Sequence, residues 1–413
     1  MMRQIIALTS ILLIASCKPV SQEDPQNQVE QWRLLIELPA TVLPVSLYLA
    51  ADGSEAWFTN GTERVVVPEI NVEGPNITLR FPAFNNTMTL IRDGDSLRGN
   101  LNLVKRGYEQ DMPVSGAPDP GYRFQENAQA EVDVSGRWQV TFTEDNGDQY
   151  PAIGEFNQQG SQLSGTFLTS TGDYRYLFGD VDGTTMRLST FDGAHAFVFE
   201  ATMGSDHELS GDFWSGTAWH ESFVAQKNSD AKLPDAYELT YLKDGYDRLE
   251  FTFPDLEGQP VSLSDEKYRD KVILVTLSGT WCPNCADEVE FLSAYYRDNQ
   301  VRGLEIITLL YEHFEEFEPA AAQGRALKDK HNILFDVLIG GYSDKTQAAE
   351  TLPMLNHVMA YPTMIFIDRK GSVRSIHTGF SGPGTGSHYT EFVAKFEAAM
   401  DELLGESSSD NPF

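Results

Sequence analysis

Hydrophobic and polar residues alternate in short runs between residues 28 and 227. A period of two predicts β-strands that bury one face, and turn pairs such as Asp52-Gly53 and Asn146-Gly147 between the runs favour tight hairpins. We therefore expect residues 28–230 to be all-β and antiparallel, as a barrel or a sandwich. The proline-containing stretch 116–121 predicts two modules, about 28–118 and 119–230. The predicted strands include residues 32–38, 64–67, 77–81, 138–142, 165–168, 186–190 and 196–200.

A motif of leucine, any residue and glycine recurs in this region after polar turns, at residues 97–99, 163–165 and 209–211. The gaps between the copies are unequal, so the motif is not the period of a solenoid. We expect it to mark one type of hairpin entry that is used several times.

The pattern changes after a boundary near residues 228–234. The continuous apolar run at residues 271–277 is typical of a buried parallel strand. Strands that alternate with helices then predict an α/β domain at residues 231–405, and residues 406–413 are predicted to be a disordered tail. The other predicted elements are a strand and turn at 249–258, strands at 304–310, 363–367 and 372–377, and helices at 283–298, 319–331 and 389–404.

The first sixteen residues contain a basic Arg3 and an apolar run at residues 5–14, which predicts a secretory signal peptide. Cys17 follows two small residues, and this arrangement resembles the lipobox of bacterial lipoproteins. The resemblance implies cleavage before Cys17 and its lipidation. The alternative is an ordinary signal peptide that ends near a cysteine. The apolar run is too short for a permanent membrane span, and residues 17–27 read as a flexible polar tether.

The chain has 30 basic and 61 acidic residues, a net charge of −31. A surface of this charge repels nucleic acid and anionic headgroups, so we expect neither as a partner. Export to an oxidising compartment would suit a redox-active pair of cysteines.

Three cysteines occur in the chain, and two of them, Cys282 and Cys285, are separated by Pro283 and Asn284. Cysteines at this spacing can interconvert between dithiol and disulfide. The predicted helix begins at Pro283, where a missing backbone donor is tolerated, so free amides of the first turn would favour a Cys282 thiolate. Cys285 lies one turn further on and is expected to be the resolving thiol.

Residues 249–404 resemble the TlpA/ResA-like thiol-disulfide oxidoreductases of bacterial envelopes, which have the thioredoxin fold. The motifs that carry this resemblance are residues 253–258, Trp281 with the cysteine pair at 281–285, and Tyr361-Pro362-Thr363 before a strand and Gly371. The resemblance covers under half of the chain. It implies that Pro362 is cis and faces the disulfide. The substrate contacts that we expect are Trp281, Pro283, Asn284, Tyr361, Pro362 and Thr363.

Glu288, three residues after Cys285, is implied by the same resemblance to be an acid/base for the resolving thiol. The alternative is an acid that only complements the helix dipole, a role that we expect for Asp287. The sequence departs from the family at Thr276, where thioredoxins have a buried aspartate, which leaves Glu288 as the better base. It also departs at Ser278, in place of an aromatic residue, and at Glu290, in place of a proline.

Neutral Asn284 stands where oxidising relatives often have histidine, so we expect a disulfide reductase. One alternative is a peroxiredoxin-like thiol antioxidant, although Val275 and Gly279 occupy the positions of its proline and threonine or serine. A non-enzymatic alternative is a client-binding lipoprotein in which the two cysteines form a zinc half-site or a structural bridge.

No cofactor beyond the Cys282–Cys285 disulfide is expected. The expected partners are protein disulfide or thiol clients, an upstream thiol electron donor in a membrane, and the lipid bilayer through Cys17. We expect the bacterial envelope, with the outer membrane facing the periplasm favoured over the inner one. The β region could recruit clients, bind a small hydrophobic ligand or act as a spacer. Trp214, Trp219 and His220 near one turn would suit either a core or a binding surface.

Overall fold

The computed structural model describes residues 29–125 and 127–406. The predicted signal peptide, Cys17, the tether and residues 407–413 of the predicted tail lie outside these residues. Within the described ranges, none of the helices is long and apolar enough to cross a membrane.

The first nine strands form one antiparallel sheet. They are β1 (Val29–Glu37), β2 (Val42–Ala50), β3 (Ala56–Asn60), β4 (Glu63–Val66), β5 (Glu69–Glu73), β6 (Asn76–Phe81), β7 (Asn86–Asp93), β8 (Ser96–Lys105) and β9 (Tyr108–Pro118). Their order is β4-β3-β2-β1-β9-β8-β7-β6-β5, so β1 pairs with both β2 and β9. Alternate residues such as Leu34, Ile36 and Leu47 are fully buried on one face, as the period of two predicts.

The next nine strands build a closed barrel. They are β10 (Gly136–Glu144), β11 (Gln149–Gln159), β12 (Gln162–Thr169), β13 (Gly172–Asp173), β14 (Leu177–Asp182), β15 (Thr185–Phe191), β16 (Ala196–Met203), β17 (Glu208–Ser215) and β18 (Trp219–Lys227). Eight of them close the ring, because β10 pairs with both β11 and β18, while the short β13 extends the end of β12. Buried aromatic side chains such as Phe142, Phe167 and Phe199 fill the interior, as is usual in a small barrel.

The sheet packs its apolar face against the outside of the barrel. Phe191 and Val198 of the barrel belong to the hydrophobic core of the sheet. Asn60 of the sheet exchanges two hydrogen bonds with the Phe191 backbone, at 3.1 Å and 3.2 Å. The buried Arg123 donates to the Thr59 carbonyl at 2.9 Å and to the Ser189 hydroxyl at 2.8 Å. These hydrogen bonds join the two β modules, because buried polar groups on each side of the boundary are satisfied by partners on the other side.

The recurring leucine-any-glycine motif lies at the start of β8, β12 and β17. Its leucine is fully buried each time, and its glycine lies against the backbone of the preceding strand. A Cβ added at Gly99, for example, would lie 1.8 Å from the Thr89 carbonyl oxygen. The motif therefore marks hairpin entries where two strands approach too closely for a side chain.

The C-terminal domain has a central sheet of five strands, which are β21 (Val272–Ser278), β22 (Leu304–Glu312), β23 (Asp336–Tyr342), β24 (Thr363–Ile367) and β25 (Val373–Thr378). Their order is β23-β22-β21-β24-β25, and the first three strands of this order are parallel. Successive residues of β21 belong to the cores on the two faces of the sheet, which explains its continuous apolar run. This is the predicted thioredoxin-like arrangement. The other elements of the domain are α1 (Ala236–Leu239), β19 (Thr252–Pro254), β20 (Pro260–Ser262), α2 (Pro283–Asn299), α3 (Phe317–His331), α4 (Lys345–Thr351) and α5 (Ser387–Gly405).

Four elements of this domain, α1, β20, β23 and α4, are additional to those that the sequence pattern predicted. The strand expected from residue 249 begins only at Thr252, where pairing with β20 starts. Leu249 and Phe251 are nevertheless buried at alternate positions. The alternation of apolar residues before Thr252 therefore reflects the burial of alternate side chains and not pairing with a neighbouring strand.

Candidate active site

Cys282 and Cys285 lie where β21 has ended and α2 begins, and they form a disulfide. Cys282 is the N-cap of α2, and its sulfur accepts a hydrogen bond from the Cys285 amide at 3.2 Å. Pro283 occupies the first helical turn and is buried. The exposed fraction is 7% for Cys282 and 1% for Cys285, so Cys282 is the more accessible sulfur. When the pair is reduced, the amides of the helix start stabilise negative charge on Cys282.

The segment before β24 lies against the disulfide. The Tyr361–Pro362 peptide bond is cis, and the Tyr361 carbonyl oxygen lies 3.6 Å from the Cys282 sulfur. Thr363 is buried, and its hydroxyl donates to the Ala360 carbonyl at 2.9 Å. A substrate strand that paired with the Tyr361 backbone would therefore present its sulfur to Cys282.

Trp281 is held beside the disulfide by two groups at the carboxyl end of β22. Its indole N–H donates to the Tyr311 carbonyl at 2.8 Å, and its ring stacks on His313 with centroids 4.5 Å apart. Burial, reinforced by the nearby charges of Lys105 and Arg106, lowers the pKa of His313 to about 4. His313 is therefore neutral at pH 7 and provides an uncharged stacking surface for Trp281.

Glu312 is a buried carboxyl that fixes the turn before Trp281. It accepts hydrogen bonds from the Thr280 amide and hydroxyl, both at 2.8 Å. Burial raises its pKa to about 7, although these two hydrogen bonds oppose the shift. Sequence reasoning missed Glu312 and His313. Their position at the carboxyl end of a parallel strand, next to the end of β21, is a signal that could have found them.

Glu288 lies on α2 one turn after Cys285, and its side chain is fully buried. Neither of its carboxyl oxygens has a hydrogen-bond partner in the described residues. Burial raises the pKa of Glu288 well above its usual range, which favours the protonated form. Thr276, at the position of the thioredoxin aspartate, is also buried and donates to the Thr308 hydroxyl at 3.1 Å.

The comparisons with known proteins concern this part of the chain. Residues 245–376 match the AhpC/TSA family. The chain is 29% identical over 141 residues to the thioredoxin-like protein YneN of Bacillus subtilis, which covers 33% of this chain and 73% of that protein. It is 28% identical over 142 residues to the thiol-disulfide oxidoreductase ResA of Geobacillus thermodenitrificans, which covers 34% and 73%. The C-terminal domain is a thioredoxin-like thiol-disulfide oxidoreductase.

Among solved structures, the chain is similar to a thiol:disulfide interchange protein of the thioredoxin family from Chlorobium tepidum. The match covers 40% of this chain and 100% of that one, with 19% identity and a TM-score of 0.30.

The barrel covers one side of the oxidoreductase site with the loop at residues 170–176, here called the strap. The Asn284 amide donates to the Asp173 carbonyl of the strap at 3.1 Å. The Asp173 carboxylate accepts from the amide of Gly382, at 2.7 Å, in the oxidoreductase domain. A Cβ added at Gly172 would lie 2.6 Å from the Asn284 amide nitrogen. The side chain of Asn284, predicted to contact substrate, therefore faces the barrel, and sequence reasoning missed Gly172 and Asp173.

Arg175 of the strap joins all three parts of the protein. Its guanidinium pairs with Glu63 of the sheet at 2.8 Å, with Asp192 of the barrel at 3.3 Å, and with Asp287 of α2. Burial raises the pKa of Asp287 to about 7, against the opposing effect of Arg175. Burial alone would lower the pKa of Arg175, but Asp287, Asp192 and Glu63 raise it. Asp287 is thus an interdomain ion-pair partner and not merely an acid that complements the helix dipole, as we had expected.

A cleft of about 710 Å³ opens on the disulfide at the junction of the sheet, the barrel and the oxidoreductase domain. Trp219 lines this cleft and is 47% exposed, whereas its predicted neighbours Trp214 and His220 pack on each other, with ring centroids 5.7 Å apart. The cleft is also lined by Lys105, Arg106, Trp281, Cys282, Lys345 and Tyr361.

Proposed function

We propose that this protein reduces disulfides of envelope clients by dithiol exchange through Cys282 and Cys285. The observation that carries the proposal is the position of the Cys282 sulfur, at the start of α2 and 3.6 Å from the Tyr361 carbonyl. The names of the ResA and YneN relatives agree with exchange chemistry.

In the first step the Cys282 thiolate attacks one sulfur of the client disulfide, and the other client sulfur leaves as a thiolate and takes up a proton. In the second step the Cys285 thiolate attacks the Cys282 sulfur and releases the other client thiol. The client gains two electrons and two protons, and the protein pair becomes a disulfide. An upstream dithiol donor, which itself becomes a disulfide, restores the reduced pair.

Glu288 acts in this scheme as the acid/base for Cys285. Its carboxyl is buried one turn away on α2 and lacks a hydrogen-bond partner in the part of the chain that the structure describes. A proton that leaves Cys285 as it becomes a nucleophile needs an acceptor, and the raised pKa makes the ionised form of Glu288 a stronger base for that proton than an ordinary carboxylate.

The protein is further proposed to be held on a membrane of the bacterial envelope, the outer membrane facing the periplasm, through a lipid on Cys17. The lipobox-like sequence before Cys17 and the polar residues 17–27 support this arrangement. Lipid on one cysteine would leave the redox site free to move on its tether.

The direct test is turnover of a peptide disulfide by the protein with a dithiol donor. Cys282→Ser and Cys285→Ser are each expected to abolish turnover, whereas Cys17→Ser, as the matched control, keeps it when the protein is assayed in solution. Retained turnover in the Cys282→Ser protein would refute the proposal. Equilibration with glutathione measures the reduction potential of the Cys282–Cys285 pair and so tests whether the protein reduces or oxidises its clients. A potential of about −120 mV, which is that of a strong disulfide donor, would contradict the assignment as a reductase.

The match to the AhpC/TSA family favours a thiol peroxidase as the second candidate. In that case the Cys282 thiolate would attack a peroxide oxygen, and the O–O bond would break to leave a Cys282 sulfenic acid and hydroxide, which takes up a proton to become water. Cys285 would then condense with the sulfenic acid to give a second water and the disulfide. Val275 and Gly279 differ from the peroxidase pattern, so we expect disulfide reduction to be much faster. Consumption of hydrogen peroxide by the reduced protein at a rate above disulfide reduction would reverse this order.

A further inference from the structure

We propose that the cleft beside the disulfide selects an extended peptide disulfide that carries carboxylates, an inference that rests on the dithiol exchange proposed for Cys282. The chemistry is unchanged: the peptide disulfide is reduced to two thiols while the Cys282–Cys285 pair is oxidised. The new element is recognition, to which the sheet and the barrel contribute residues.

The shape of the site favours a narrow substrate. Cys282, Pro283 and Asn284 are all buried, because the strap of the barrel lies over the start of α2. The Cys282 sulfur lines the cleft, whose volume of about 710 Å³ is in the range that accommodates a small ligand or a short peptide segment. The Tyr361 backbone beside this sulfur offers pairing to an extended strand. A chain segment fits this opening better than the surface of a folded domain.

The charges in the cleft favour carboxylates. Lys105 donates to the Ala194 carbonyl at 2.8 Å, and neither Lys105 nor Lys345 forms an ion pair in the described residues. Arg106 pairs with Asp344 at 3.1 Å, and the other oxygen of Asp344 accepts from amides at the start of α4. The second acid of the cleft, Asp173, is buried and engaged by backbone amides.

Lys345 therefore has no ion-pair partner among the described residues, and Lys105 has only the more distant Asp192, on a chain whose net charge is −31. Such a local reversal of sign attracts an anionic substrate and repels a cationic one. Trp219 and Trp281 add aromatic surface on which the apolar parts of a peptide can pack. Together these groups would hold a carboxylate-bearing strand with its disulfide at Cys282.

The test uses three peptides of equal length, each with one disulfide flanked by glutamate, glutamine or lysine. We expect kcat/KM at low ionic strength to be roughly tenfold higher for the glutamate than for the glutamine peptide, and lowest for the lysine peptide. The ratio of kcat/KM for the glutamate peptide to kcat/KM for the glutamine peptide should fall towards one in Arg106→Gln and in Lys345→Gln. The matched control, Lys330→Gln, removes an exposed charge on α3 and should keep the ratio.

Equal kcat/KM for the three peptides would overturn the selectivity and leave the dithiol exchange intact, because each peptide would still be reduced. A ratio that falls equally in Lys330→Gln would also overturn it, since the effect would come from net charge and not from the cleft. If none of the three peptides is reduced, the proposed exchange fails together with this inference.

Discussion

The side-chain amide of Asn284, between the two cysteines, donates a 3.1 Å hydrogen bond to the backbone carbonyl of Asp173 in the barrel. A residue about 110 positions earlier in the chain thus contacts the interior of the Cys-X-X-Cys motif. The barrel is therefore part of the wall of the redox site and not only a spacer. This contact gives the β region a physical role, because it limits the direction from which a partner reaches Cys282.

The strap should protect Cys282, and Gly172→Ala should remove part of that protection. Gly172 has φ +144°, and its added Cβ would lie 2.6 Å from the Asn284 amide nitrogen. We expect the substitution to strain the docked strap by about 1–3 kcal/mol, and this strain is relieved when the strap moves away from α2. The population of the open state should therefore increase by roughly 5- to 150-fold. Alkylation of reduced Cys282, followed by mass spectrometry, should accelerate accordingly.

The control for this experiment is Gly147→Ala. Gly147 also has positive φ, at +91°, but an added Cβ there meets no atom within 4 Å. We expect alkylation of Cys282 to keep the wild-type rate in this variant. Equal rates in wild type, Gly147→Ala and Gly172→Ala would show that the strap does not shield the sulfur.

The ion pair between Arg175 and Asp287 should stabilise the docking of the barrel on α2. Their side chains are 13% and 21% exposed. Arg175→Met alone should cost about 3–5 kcal/mol of unfolding free energy, because it leaves buried carboxylates without their cation. A double-mutant cycle with Asp287→Asn should give a coupling energy of about 1–3 kcal/mol in chemical denaturation.

The comparison pair is Arg64 with Glu55, whose side chains are 49% and 50% exposed. Water screens this pair, so its coupling energy should stay below about 1 kcal/mol. A coupling for Arg175 and Asp287 as small as that of the exposed pair would mean that the cluster does not hold the domains together.

Glu288→Gln should change how stability depends on pH. Burial raises the pKa of Glu288 in the folded state above its unfolded value of about 4.3. Its contribution to stability is therefore complete below pH ~4.3 and is lost as pH rises through the folded-state pKa. The unfolding free energy of Glu288→Gln relative to wild type should increase between pH 5 and pH 8, by about 1.4 kcal/mol for each unit of the shift that lies in this range.

The catalytic role of Glu288 needs a different readout. If the carboxyl accepts the Cys285 proton, Glu288→Gln should slow the release of a mixed disulfide from Cys282. The same change should lower the pKa of the Cys285 thiol, because it removes a carboxylate whose charge opposes formation of the thiolate. A variant that changes the pH dependence of stability but neither of these quantities would assign Glu288 a purely structural role.

Local patterns predicted most of the α/β domain and the centre of the site. The start of α2 at Pro283 and the Tyr361-Pro362 motif are each defined by residues that are adjacent in sequence. The continuous apolar sequence of β21 likewise predicts a buried strand, because a strand that is covered on both faces needs apolar side chains at successive positions.

The rest depends on contacts between distant residues. Asp287 was wrongly expected to complement only the helix dipole, because its partner Arg175 lies 112 residues away. No local signal at Gly172 or Asp173 indicates that they meet α2, since turns rich in glycine and aspartate occur throughout the β region. The closure of the barrel likewise depends on β10 pairing with β18, at opposite ends of that module.

The assignment of Cys282 as the attacking sulfur and Cys285 as the resolving one is tested most directly by trapping. Reduced Cys285→Ser protein is mixed with a peptide disulfide, and the adduct is located by mass spectrometry, with Cys282→Ser as the matched variant. We predict a stable one-to-one mixed disulfide on Cys282 in the first protein and none on Cys285 in the second. An adduct that forms equally fast on Cys285 of the Cys282→Ser protein, or none on Cys282, would contradict the account.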